Sequence, residues 1–85
     1  MVLAEYEKSR TIVEINGVPY TIVGSESSEH IKQVANYVNQ IMNDINARNP
    51  YLDSSKLAVL TAINAASEYI KLKEKLEQLE KKVKD

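Results

Sequence analysis

Leu57-Ala58-Val59-Leu60-Thr61-Ala62-Ile63-Asn64-Ala65-Ala66, followed by Tyr69, Leu72, Leu76, Leu79 and Val83 at spacings of 3, 4, 3 and 4, is the stretch that decides how this chain folds. Its first half is apolar around much of a helical circumference, the pattern of a helix that becomes buried. Its second half narrows to one seam flanked by charge, the pattern of a helix that pairs with another helix. From Asp53 to Asp85 no Gly or Pro interrupts the run. At about 1.5 Å per residue a helix over 53–85 reaches roughly 45–50 Å. A small domain cannot cover that length, so the spacing predicts a head carrying a stalk, with the seam starting at about residue 69.

The chain has 85 residues. A domain of this size buries only about 60% of its unfolded surface and needs outside help. That help is disulfides, a metal or a second copy. Cysteine is absent and His30 is the lone histidine, so a second copy is the expected answer. Eleven Lys and Arg face 12 Asp and Glu, a formal net charge of −1. That balance supplies no attraction to nucleic acid or to an anionic membrane, and neither is expected as a partner. The apolar run Val2-Leu3-Ala4 is cut off by Glu5 and Glu7, too soon for a signal peptide. The expected compartment is the cytoplasm.

Upstream of the long helix, residues 1–10 are charged and aperiodic and read as a tail. Residues 11–23 read as a β-hairpin, with Asn16-Gly17 as the type I′ turn. A two-residue loop places Ile15 opposite Val18, Val13 opposite Tyr20, and Thr11 opposite Ile22. These six then share one nearly apolar face. Pro19 cannot donate to a ladder, so its strand has an unpaired edge. Ser27 is the expected cap of a helix over 27–48. That helix has Ile31, Val34, Ala35, Val38, Ile41, Met42 and Ile45 as its apolar face. Its opposite face, including Asn36, Asn39, Asn43 and Asn46, is polar and nearly uncharged and reads as solvated, with a partner surface of adaptable amides as the open alternative. Asn49-Pro50 stops the helix. Tyr51 and Leu52 are expected to tuck into the head (residues 11–52), and Asp53 or Ser54 to cap the long helix. The fold class is α+β.

In heptad terms Tyr69, Leu76 and Val83 take a, and Leu72 and Leu79 take d. A parallel in-register pair then matches Glu68 with Lys73 and Lys75 with Glu80 across the two chains. A centred antiparallel pair also matches Lys73 with Glu80, so charge prefers parallel and leaves the alternative open. Two heptads are too short to hold two chains alone. Leu57, Leu60, Ile63, Ala66 and Ile70 are therefore expected to join the dimer interface, with Asn64 as an interface amide.

Catalytic patterns are missing: there is no Gly-rich phosphate loop, no nucleophile beside a base and no metal-ligand spacing. His30 with Glu26 or Glu29 makes an acid–base pair at an exposed helix start with no pocket. No enzymatic activity, cofactor or metal is expected. Two rival readings remain, a small dimeric nucleic-acid binder of the hairpin-plus-helices kind and a coiled-coil adaptor.

Ile-Asn-Gly-Val-Pro-Tyr-Thr-Ile-Val-Gly (15–24), Ser-Ser-Glu-His-Ile (27–31) and Asn-Pro-Tyr-Leu-Asp-Ser-Ser-Lys-Leu-Ala-Val-Leu-Thr-Ala-Ile-Asn-Ala-Ala (49–66) together resemble the ZapA family of bacterial cell-division proteins. The resemblance runs from about Arg10 to Leu79. It implies a cytoplasmic accessory factor of the mid-cell division ring that binds the tubulin-like GTPase FtsZ and bundles its protofilaments. It also implies a dimer with a C-terminal coiled coil. Longer members pair two dimers into tetramers through that coil, and the short seam here makes the dimer the expected state. Where some members carry a basic residue just after the hairpin glycine, this chain has Val18. The remaining head charges, Arg10, Lys32, Arg48 and Lys56, are the candidates for contact with FtsZ.

Overall fold

The structure, a computed structural model, describes residues 9–84, and the side chains of 9–83. Its order is β1 (Ser9–Ile15), β2 (Val18–Gly24), α1 (Ser28–Arg48) and α2 (Ser54–Lys84). This is an α+β chain, an antiparallel hairpin followed by two helices, as the patterning predicts. Two compact units divide between Asp44 and Ile45, inside α1 and short of the link at 49–53.

In the first unit the hairpin has the register that loop length and pattern require, with Ile15 opposite Val18, Val13 opposite Tyr20 and Thr11 opposite Ile22. Asn16 and Gly17 both have positive φ, 53° and 80°, as a type I′ turn demands. Hydrogen-bonded and non-bonded pairs alternate from the loop outward. Ile15 and Val18 flank the loop as a bonded pair, so Glu14 and Pro19 form a non-bonded one. The missing N–H of Pro19 therefore faces the outer edge of β2, costs the ladder nothing and blunts that edge.

The strand begins at Ser9, two residues earlier than expected, because Ser9 is tied down. Its hydroxyl lies 3.2 Å from the Gly24 carbonyl and donates to the Glu26 carbonyl at 2.6 Å. Arg10 pairs with Val23 in the same ladder. The rest of the expected tail, 1–8, lies outside the described residues.

α1 is capped as its sequence requires: the His30 N–H donates to the Ser27 hydroxyl at 3.1 Å. Two polar clasps bind the hairpin to α1. Thr11 Oγ1, on a buried residue, lies 2.8 Å from the Ser28 hydroxyl. At the other end, Asn39 Nδ2 donates to the Glu14 carbonyl at 2.7 Å, and the Asn16 N–H donates to Asn39 Oδ1 at 2.9 Å. Ser28 and Asn39 are 39 − 28 = 11 residues apart, about three turns, and so point the same way. Between them Val13 and Ala35 are buried, and Ile41 and Met42 are buried just past Asn39. Asn39 thus departs from the solvated face assigned to it: its amide replaces water at the hairpin end. Asn36, Asn43 and Asn46 are exposed as expected.

In the second unit the last turn of α1 closes on the Asn49 N–H donating to the Ile45 carbonyl at 2.9 Å. Asp53 is the cap of α2, accepting the Lys56 N–H at 2.8 Å. Leu52 is half-buried, but Tyr51 is 97% exposed and does not tuck in. The tight link, with the Leu52 N–H reaching the Asn49 carbonyl at 3.4 Å, lets only one of the two neighbours turn inward. α2 then runs unbroken for 31 residues, about 46 Å.

The Asn39 clasp makes a measurable claim. Asn39→Ala should lower stability by about 1–2 kcal/mol, because two hydrogen bonds go but the groups left behind reach water. Asn36→Ala, on the exposed side, should stay within about 0.5 kcal/mol. Urea midpoints at one fixed protein concentration check this, and equal midpoints for the two variants would remove the clasp from the account.

Candidate self-association and docking surfaces

α2 positions most of the residues singled out by sequence, and it sorts them onto different sides. At about 100° per residue, Leu60, Ile63, Ala66 and Ile70 form one stripe, with Val59 beside it. The seam of Tyr69, Leu72, Leu76, Leu79 and Val83 lies roughly 150° around the helix from that stripe. The seam continues toward the N-terminus into Leu57, Thr61 and Ala65. Leu57 is only 3% exposed and Thr61 is also buried, so the protomer already covers this part and leaves nothing there for a second chain. The hydroxyl of Thr61 bonds the Leu57 carbonyl one turn back at 2.7 Å, so its burial strands no polar atom.

The five seam residues remain between 51% and 83% exposed, and three of them, Leu76, Leu79 and Val83, line a shallow apolar surface together with Glu80. Leu60, Ile63 and Ile70 are exposed as well, Ile63 at 59%. Asn64 is exposed and falls on the flank between stripe and seam. Sequence reasoning did not single out Val59. It is exposed one position before Leu60 and lines an apolar hollow with Leu52, Ser55, Lys56 and Leu60. The signal for it was present in the apolar run, but a run that is apolar all round does not announce its sides.

The four basic candidates stand on three different elements. Arg10 is exposed on β1. Lys32, on α1, lines a groove with Ile12, Glu14, Asn36 and Asn39. Arg48 is the basic residue of the last turn of α1, and Lys56 sits in the first turn of α2 beside its hollow. Each is exposed. Within the first unit, Glu14 shares the groove with Lys32, so this surface is mixed in sign. His30 Nε2 lies 3.8 Å from Glu26 in an exposed pair at the start of α1. Among the described residues no cluster of His, Cys, Asp or Glu is placed to hold a metal, and no helix is long and apolar enough to cross a membrane.

Comparison with known proteins adds what geometry alone does not. Residues 12–85 match the family model described as "Cell division protein ZapA". The chain is 48% identical over 83 residues to the cell division protein ZapA of Bacillus subtilis, spanning 98% of each. It is 54% identical over 81 residues to that of a Geobacillus species, spanning 95% of this chain and 93% of the relative. Its fold is similar to the solved ZapA mutant dimer from Geobacillus stearothermophilus, with a TM-score of 0.73 and 46% identity over 100% of this chain and 99% of that one.

Truncation after Leu72 removes Leu76, Leu79 and Val83 and spares the stripe. Self-association should weaken by more than about 100-fold, given the apolar area lost from both copies, while helical signal over 54–72 persists. Sedimentation velocity over a dilution series reads this directly. An unchanged dissociation constant would mean that the seam does not join two chains.

Proposed function

This chain belongs to the ZapA family of cell division proteins, and from that premise we propose that it is a non-enzymatic, dimeric cross-linker of FtsZ filaments. The observation that carries the proposal is the exposed apolar seam along one side of an unbroken helix. It is a surface made for a second helix, in a chain whose solved relative is described as a dimer. Joining two chains through the seam duplicates whatever surface the hairpin and α1 present. A filament repeats its own binding site many times. Two modest contacts on one rigid dimer gain about 10²–10⁴ in avidity and can bridge neighbouring filaments, which a single site cannot do.

In this reading the protein acts in the cytoplasm at the division ring. The basic residues Arg10, Lys32, Arg48 and Lys56 are the contacts offered to FtsZ, and no cofactor takes part. Glu14 beside Lys32 supports a partner surface of mixed charge, so binding should weaken only moderately with salt. The g and e charges along α2 support a parallel pair.

Pelleting with polymerised FtsZ tests binding, and light scattering of the same polymers tests bundling. The full chain should co-sediment with FtsZ and raise scattering. The form truncated after Leu72 should bundle poorly at low protein and recover at high. A variant shown by sedimentation to be a folded monomer under assay conditions should still pellet weakly and should not bundle. Failure of the full chain to pellet would reject the proposal, and bundling by a proven monomer would place two filament sites on one chain.

A further inference from the structure

The hairpin tip joins two residues that can react with each other. Of the seven asparagines, Asn16 is the one followed by glycine. A glycine nitrogen is the least hindered backbone nucleophile, because no Cβ stands beside it. The space around Gly17 is also open, since a Cβ built there would meet nothing within 4 Å. Both residues are exposed to water. The Ile15–Val18 pair closes the ladder, and Gly17 stays outside it.

We propose that Asn16 is a self-modification site, converting to aspartate and isoaspartate, and that Asn39 restrains it. The Gly17 nitrogen attacks the side-chain carbonyl carbon of Asn16. The bond from that carbon to Nδ2 breaks, and ammonia leaves with the Gly17 proton. Water then opens the succinimide at either carbonyl. One opening leaves aspartate; the other runs the backbone through the side chain as isoaspartate. Ammonia out and water in balance the step, and no other reactant is needed.

The folded turn blocks the attack. With φ of 53° at Asn16 and 80° at Gly17, type I′ geometry sets the Asn16 ψ at about +30°. That angle turns the Gly17 nitrogen away from the Asn16 side chain, and attack requires the peptide to swing round to the Cβ side. Such a swing displaces one strand end or the other. Asn39 holds the β1 end, accepting the Asn16 N–H at 2.9 Å and donating to the Glu14 carbonyl at 2.7 Å. While both bonds stand, the displacement falls on β2 alone, and Val18 must leave the ladder first. Without them, the tip can twist from either side. The reaction therefore follows a local opening of the tip, not global unfolding.

The full-length chain is incubated at mildly alkaline pH. Peptide mapping by mass spectrometry follows conversion of Asn16, and methyltransferase labelling counts the isoaspartate. The folded chain should convert at least about tenfold more slowly than the same chain unfolded in urea, as two hydrogen bonds imply. Asn39→Ala should speed conversion in the folded chain by about 5–30-fold. Asn39→Asp keeps an acceptor for the Asn16 N–H but loses the donor to Glu14, so its rate should fall between; it decides the matter if Asn39→Ala does not fold. Ser28→Ala breaks the clasp at the far end of the hairpin and should stay within about twofold of the parent. No conversion at Asn16 even in urea, conversion in the folded parent as fast as in urea, or an unchanged rate in the Asn39 variants would overturn the proposal. Equal acceleration by Ser28→Ala would overturn it too, because the route would then be global unfolding.

Discussion

The constraint on which this structure depends is a surplus of apolar surface. Six apolar side chains are buried among the described residues, and none is wholly sealed. Meanwhile α2 carries exposed Leu, Ile, Val and Tyr on two sides. Burying one such side chain is worth about 1.5–3 kcal/mol, and net stabilities are only about 5–15 kcal/mol. A protomer that leaves so many side chains in water has little left with which to offset chain entropy. Self-association answers that shortage, because a second copy supplies apolar surface that the protomer lacks, and the bridging proposed above builds on it.

Polar contacts serve a different end. The Thr11–Ser28 and Asn39 clasps add modest stability, but they fix the hairpin along α1 at two points about three turns apart. That rigidity supports the bridge proposed above. Avidity depends on both heads holding their surfaces at a set separation, and a loose hairpin would spend part of the second contact on ordering itself. The unbroken α2 does the same at the longer scale, since without Gly or Pro it has no hinge.

Much of this was legible in the sequence, and the reasons differ by element. The hairpin register was readable because a two-residue Asn-Gly loop and the alternation of apolar residues fix it independently. Ser27 was readable as a cap, and the cap of α2 was readable to within Asp53 or Ser54, because capping depends only on neighbours within a turn; Asp53 takes the role. The Tyr69–Val83 seam was readable because charge isolates it. Asn39 was not: whether an amide meets water or a carbonyl depends on where the hairpin comes to lie, which no local pattern encodes. Tyr51 exposes itself because a link of so few residues can turn only Leu52 inward. The two sides of α2 were merged in reading because residues 57–66 are apolar nearly all round. Burial of Leu57 and Thr61 separates the covered side from the open stripe. The contacts proposed for FtsZ are the least legible part, since single exposed lysines and arginines carry no pattern that distinguishes a contact from a solvated charge.

If the second copy completes the core, folding and association are one event, and stability must depend on protein concentration. Urea unfolding followed by far-ultraviolet circular dichroism, from about 1 to 100 μM chain, measures that dependence most directly. The account predicts a midpoint that rises steadily with concentration, with the helical signal lost in step with dissociation seen by sedimentation. The 100-fold span corresponds to about 2.7 kcal/mol of apparent stability. A midpoint that does not move, with a folded monomer persisting at the lowest concentration, would contradict it.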